Sequence, residues 1–246
     1  MEKKILIIPD VHGRTFWKSA LETGDYEKIV FLGDYTDPYE TEGITNLEAL
    51  KNFNSIIAFE QQNPEKVVLL LGNHDLHYYS NYYYELVRCT RYNPVSAVDL
   101  QRLFTKYNNF FQLAWETDWG SKHYLFSHAG ITHSWLKRNL KLIKKPDANH
   151  LNRLLLTNEG LETLAQVGEI RWGDYPSGSM VWADVEEMFI SDPLPGTYQI
   201  VGHSMQFDGP IIAEQFACLD CRAAFSLDRE GNIKPVTEIL GYGEYL

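Results

Sequence analysis

The chain has 246 residues, 44% of them apolar, and a formal charge of −11. That is enough apolar material for one large buried core, and an acidic surface repels polyanions, which excludes nucleic acid and anionic membrane as default partners. Three cysteines (Cys89, Cys218 and Cys221), no secretory leader and no apolar run long enough to span a bilayer lead us to expect a cytoplasmic protein without a disulfide framework.

Lys4–Ile8 is a short apolar run closed by Pro9, and residues 29–32 and 67–71 repeat the pattern. Such runs predict strands buried on both faces, as in a sheet covered by helices. Between the second and third runs, residues 45–60 predict a helix. Thr45 and Glu48 form a capping-box pattern there, and Leu47, Leu50 and Ile57 fall on an apolar stripe. Strand, helix and strand alternate, which indicates an α/β chain with βαβ units. Residues 76–94 follow, with Tyr78, Tyr79, Tyr82, Tyr83, Tyr84 and Tyr92. They read either as a helix packed on the body or as a lid over a site, or as both.

Further along, residues 97–111 predict a helix, 115–120 a turn and 123–127 a strand. Residues 135–142 and 150–167 predict helices, and 171–179 a loop. Residues 199–201, 216–219, 223–227 and 233–238 predict short strands, with a hairpin signal at 229–232. No repeat or linker divides the sequence, so residues 1–246 are taken as one domain.

Polar clusters follow the strand-like runs. The first gives Asp10-Val11-His12-Gly13, the second Gly33-Asp34-Tyr35-Thr36-Asp37, and the third Gly72-Asn73-His74-Asp75. Later runs give Ser127-His128-Ala129-Gly130 and Val201-Gly202-His203. Each alone could be ordinary turn chemistry or a satisfied buried histidine. Together they place five groups of donors at the carboxyl ends of strands, where open α/β sheets bind ligands. Oxygen and nitrogen donors without thiolate suit Mn²⁺, Fe²⁺ or Zn²⁺. Cys218 and Cys221 have zinc-like spacing but no second pair and read as strand core. His77, His123, His133 and His150 read as structural or surface residues.

This series resembles the calcineurin-like metallophosphoesterases, and its later elements resemble the phosphoprotein phosphatase branch. Met180-Val181-Trp182-Ala183-Asp184 is similar to that branch's Leu-Trp segment, and Leu219-Asp220-Cys221 with Gly231 to its last strand and hairpin. The resemblance implies two packed mixed β-sheets flanked by helices. It implies two divalent metal ions, Mn²⁺ first with Fe or Zn as alternatives. One would be held by Asp10, His12 and Asp34, and the other by Asp34, Asn73, His128 and His203. It further implies direct attack on a phosphate monoester by a hydroxide between the metals. His74 would act as the acid, with Asp37 keeping its ring oriented and charged.

The substrate would be a phosphoprotein or a small phosphorylated metabolite. Alternatives are hydrolysis of nucleotides such as diadenosine polyphosphates, or a binding scaffold of the same fold without catalysis. One departure concerns substrate grip. The branch follows its second motif with an arginine that holds the phosphate, and Pro38-Tyr39 stand in its place. Arg14 is the candidate replacement, weighed equally against a solvated surface cation.

Overall fold

The computed structural model describes residues 3–190 and 193–239. In chain order the first half forms β1 (Lys4–Ile8), α1 (Phe16–Ala20), β2 (Tyr26–Phe31), α2 (Asn46–Gln62), β3 (Val67–Leu70), α3 (Asn73–Tyr79), α4 (Asn81–Leu86) and α5 (Pro94–Lys106). The second half forms β4 (Phe111–Gln112), β5 (Ala114–Trp119), β6 (Lys122–Ser127), α6 (His133–Arg138), α7 (Ala148–Asn152), α8 (Asn158–Leu164), α9 (Val185–Ile190), β7 (Tyr198–Val201), β8 (Ile211–Ile212), β9 (Phe216–Cys218), β10 (Phe225–Leu227) and β11 (Ile233–Pro235).

The strands make two mixed sheets, ordered β11-β10-β1-β2-β3-β4 and β5-β6-β7-β9-β8. In the first, β1 to β4 run parallel, with β10 antiparallel to β1. In the second, β6, β7 and β9 run parallel between antiparallel edges. Alternation along β1 shows how they stack. Ile5 and Ile7 point between the sheets, where they meet Val30, Val68, Phe126 and Ile200. Leu6 and Ile8 point the other way, into a helix-covered core with Trp17, Phe53 and Phe104. The far face of the second sheet is covered by α9, whose Val185 and Met188 pack on Val201, Phe216 and Cys218. The result is the expected layer order of helix, sheet, sheet and helix. Cys218 ends β9 and packs under α9, whereas Cys221, expected in the same strand, lies beyond it in a bend and packs between the sheets.

The capping box at Thr45 forms, with its hydroxyl accepting from the Glu48 amide. The apolar stripe it begins is displaced from the expected one. Ala49, Phe53, Ile56 and Ile57 are buried, whereas Leu47 is 59% exposed. Residues 115–119 are strand, and the turn comes at Gly120. β5 pairs antiparallel with β6 from Ala114↔Ser127 to Trp119↔Lys122, and Glu116, Thr117 and Asp118 make a polar sheet edge. The helix expected over 150–167 is broken, because Thr157 caps a new start by accepting from the Gly160 amide. The Tyr-rich segment is broken in the same way by Ser80, which accepts from the Tyr83 amide. Among the described residues no helix is long and apolar enough to cross a membrane.

Candidate active site

The sheet order brings the five polar clusters together. Asp10 and His12 follow β1, Asp34 and Asp37 follow β2, and Asn73 and His74 open α3 after β3. His128 follows β6 and His203 follows β7. All five turns lie at carboxyl ends of parallel strands. The backbone there is unusual. Among the described residues, six other than glycine have positive φ, and four of them are His12, Asp34, Asp37 and His203. Left-handed backbone at such residues costs roughly 1–3 kcal/mol each and persists only where the surroundings enforce it.

The surroundings can be named. Asp34 O accepts from the Val11 and His12 amides at 3.1 and 2.7 Å. Its own amide donates to Asp75 Oδ2 at 2.7 Å, and its Oδ1 accepts from the His74 amide at 2.9 Å. Asp75 also accepts from the Tyr35 and Gly72 amides, so one buried carboxylate clamps the second turn to the third. Asp10 Oδ2 accepts from the His203 amide at 2.9 Å. Two glycines make room for the carboxylates. A Cβ on Gly72 would lie 2.1 Å from Asp34 Oδ1, and one on Gly202 would lie 2.1 Å from Asp10 Oδ2.

Two groups of donors share Asp34. Asp10, His12 and Asp34 form one, and Asp34, His128 and His203 form the other, each with its ligand atoms within 4.8 Å of one another. Asn73 Oδ1 adds to the second, 3.0 Å from His128 Nε2. Backbone carbonyls set the histidine tautomers. His12 Nδ1 donates to Thr36 O at 2.8 Å, and His128 Nδ1 donates to Leu32 O at 2.9 Å. Each ring therefore turns its Nε2 toward the site, the usual second-shell arrangement of a metal-binding imidazole. Asn73 Nδ2 donates to Cys89 Sγ, which leaves Oδ1 facing His128 Nε2. His203 Nδ1 lies 3.1 Å from that same His128 nitrogen, and His203 Nε2 is a buried atom with no hydrogen-bond partner. Imidazole nitrogens, an amide oxygen and two carboxylates converging in this way are a donor set that a divalent cation satisfies.

The electrostatics agree. Burial first, then neighbouring His74 and Arg91, hold His12 well below the usual imidazole range, so its ring is neutral. Burial, with Arg171 and His128 nearby, does the same to His203. Burial and the charge of Asp10 push the Asp34 carboxyl well above the usual carboxylate range.

Beside this cluster His74 Nδ1 donates to Asp37 Oδ2 at 2.9 Å. Burial would raise the Asp37 carboxyl, but hydrogen bonds from His74 and His77 outweigh it and hold the group below its ordinary value. Tyr78 Oη donates to the other oxygen, Oδ1, at 2.6 Å. The His77 contact has a defined polarity. The Cys89 amide donates to His77 Nδ1, so the proton sits on Nε2, 3.0 Å from Asp37 Oδ2. Two hydrogen-bond donors, His74 and Tyr78, with the His77 ring close by, thus anchor Asp37 in its charged form. His74 itself is pushed down to about 4, chiefly by burial. Its ring is oriented as expected but is neutral in the chain alone.

Arg14 reaches the other candidates only through the backbone, donating from Nη1 to Asp10 O at 3.2 Å. Its guanidinium binds Glu42 through Nε and Nη2 at 2.8 and 2.7 Å, and Arg222 closes a buried ionic triad on the same carboxylate. It does not line the cleft that opens over the metal ligands. Arg91 does. Its guanidinium lies 3.7 Å above the Tyr39 ring, donates from Nε to Asp37 O, and places Nη2 3.2 Å from His12 Nε2 and 3.3 Å from His74 Nε2. Nothing local in the sequence marks Arg91, and His77 was read as structural. Arg171, also on the cleft wall, is paired with Asp184 at 2.9 Å. Of the tyrosines in 76–94, none lines the cleft, whose wall on that side runs from Leu86 to Arg91. Tyr78 and Tyr83 instead brace the site from behind. Tyr83 Oη accepts from Trp182, whose ring stands edge-on to His203 at 6.0 Å.

The sequence profile of the calcineurin-like phosphoesterase family matches residues 3–207. The chain belongs to that family, and so to the metal-dependent phosphoric ester hydrolases. No curated protein matches it. Among solved structures it is similar to a cold-active protein-tyrosine phosphatase of a psychrophile, Shewanella SP. That likeness has 14% identity and a TM-score of 0.56, and covers 96% of this chain and 81% of that one. It is also similar to a protein serine/threonine phosphatase from Saccharomyces cerevisiae, at 11% identity and a TM-score of 0.53, covering 98% and 82%. At these identities the likeness is one of fold.

The raised Asp34 carboxyl makes cation binding a competition with protons. Titrating Mn²⁺ into the protein should release protons, and affinity should weaken as pH falls and Asp34 is protonated. Calorimetry in two buffers of different ionisation enthalpy measures the release. Asp34→Asn should lose most of it, and binding that is flat in pH with no proton release would contradict the reading.

Proposed function

We propose that the chain hydrolyses phosphate monoesters at a two-cation site, with Mn²⁺ the first candidate and Fe or Zn the alternatives. The reading rests on one observation, the sharing of Asp34 between two ligand groups. Asp10, His12 and Asp34 would hold one ion, and Asp34, Asn73, His128 and His203 the other. Bound there, divalent ions supply an activated water and neutralise phosphoryl oxygens. The remaining chemistry belongs to the chain. His74 keeps one proton on Nδ1 against Asp37 and turns Nε2 to the cleft. An arriving phosphate dianion favours the charged ring, and Asp37, held ionised, stabilises it. The Nε2 proton then passes to the leaving oxygen.

Arg91 takes the part of the arginine that Pro38-Tyr39 displaced. Were an ion held by Asp10, His12 and Asp34, Arg91 would give up its contact with His12 Nε2. The guanidinium stays anchored by Tyr39 and the Asp37 carbonyl, and its outer N–H groups become available to phosphate. The substrate is a phosphate monoester on a protein or a small metabolite. Both similar structures named above are of phosphatases, which supports a monoester.

Two sets of variants test these roles. His74→Ala should lower kcat by roughly 10²–10⁴, the range for a lost general acid, with metal content unchanged. The loss should shrink for p-nitrophenyl phosphate, whose leaving group needs little protonation; an equal loss across leaving groups would remove His74 from that role. Arg91→Ala should raise KM for phosphate monoesters roughly tenfold or more, as for a lost charge-assisted hydrogen bond. Arg14→Ala should act differently, lowering the thermal midpoint because it leaves buried Glu42 with Arg222 as its one partner of the triad. A KM effect at Arg14 with none at Arg91 would return the phosphate grip to Arg14.

A further inference from the structure

The cleft over the metal ligands encloses about 770 Å³, within the range that buries a ligand of drug size and far beyond a phosphate alone. Its upper wall holds an indole left in water. Of the chain's six tryptophans, Trp17, Trp119 and Trp135 are buried and Trp115 and Trp182 are partly buried, whereas Trp172 is 97% exposed. Leaving that ring in solvent forgoes the burial that stabilises the others.

The backbone beneath it is as unusual as that of the catalytic turns. Among the described residues with positive φ other than glycine, four belong to the candidate site and Arg222 to the buried ionic triad. The sixth is Trp172, at φ 59°. Trp172 is the left-handed cap of the short 3-10 turn Glu169–Arg171, a position that glycine or asparagine usually fills, and a bulky side chain kept there carries strain of the kind that gathers at ligand clamps. Nor is the turn slack. Trp172 N donates to Glu169 O, Gly173 N and Arg171 N to Gly168 O, Glu169 N to Tyr175 O, and Tyr175 N to Val167 O. Five backbone hydrogen bonds hold the indole at the cleft wall, beside the 38%-exposed Tyr175 and with Leu86 and Arg88 also lining the cleft.

We propose that Trp172 is a stacking platform for an aromatic ring on the leaving group of the ester. The inference deepens the phosphoesterase reading and rests on it for the position of the phosphate. A rigid indole offers a flat face to any ring and little to a short alkyl chain. The ring could be the phenol of a phosphotyrosine or the base of a nucleotide, and the test separates them.

In Trp172→Gly the ring is gone and the backbone is relieved. The ratio of kcat/KM for phosphotyrosine over phosphoserine, or for adenosine 5′-monophosphate over ribose 5-phosphate, should fall roughly tenfold, the scale of one stacking contact. The pair that falls names the source of the ring. Trp172→Phe should keep most of the ratio. The thermal midpoint of Trp172→Gly should hold or rise; a drop would show that the ring serves packing and would overturn the proposal. A second readout needs no turnover. In the metal-loaded His74→Ala protein, phosphotyrosine or adenosine 5′-monophosphate should quench tryptophan fluorescence, and adding Trp172→Phe should abolish the quenching. Unchanged ratios for both pairs, or no quenching by either ligand, overturn the platform. Failure of the wild-type protein to hydrolyse any of the four esters counts against the phosphoesterase reading instead, because the fluorescence result stands without it.

Discussion

Asp34 is held through its backbone and one side-chain oxygen. Its amide donates to Asp75, its carbonyl receives two amides of the first turn, and Oδ1 receives the amide of His74. Oδ2 faces the imidazoles of His12 and His128, 3.5 Å from each. A buried carboxylate so placed has its backbone conformation enforced from both neighbouring strands, and its charge is the group that incoming cations would share. Asp10, a neutral His12 and the placement of His128 all depend on the three turns that Asp34 joins.

The same constraint explains why polar groups can be buried here at all. Removing carboxylates from water is costly unless donors or cations replace the water. Backbone amides replace part of it at Asp34, Asp75 and Asp10. Imidazole and phenol replace it at Asp37. The crowded Asn73, His128 and His203 atoms, with His203 Nε2 left without a hydrogen-bond partner, are the part that the chain covers least. The site thus combines strained backbone with electrostatic crowding, and the double-sheet core supplies the rigidity to hold both.

Much of this was legible in the sequence, for a local reason. The ligands lie within two or three residues of strand ends, and strands buried on both faces announce themselves as short apolar runs. Five such runs followed by acid, imidazole or amide groups were enough to bring Asp10, Asp34, Asn73, His128 and His203 to one place. What escaped notice depends on longer paths. Arg91 enters from beyond two short helices, and only the folded chain lays it on Tyr39. His77 looked structural because no spacing rule links it to Asp37. β5 was read as a turn because an edge strand can carry consecutive polar residues, and the run over 150–167 hid a restart at Thr157. Arg14 followed the first motif closely, yet Glu42, from a loop with no pattern of its own, claims its guanidinium.

Anomalous diffraction from crystals loaded with Mn²⁺ tests the central claim most directly. The account predicts two peaks flanking the Asp34 carboxylate, one against Asp10 and His12 and one against Asn73, His128 and His203. A single peak, or a peak within the neighbouring cluster of Asp37, His74 and His77, would contradict it.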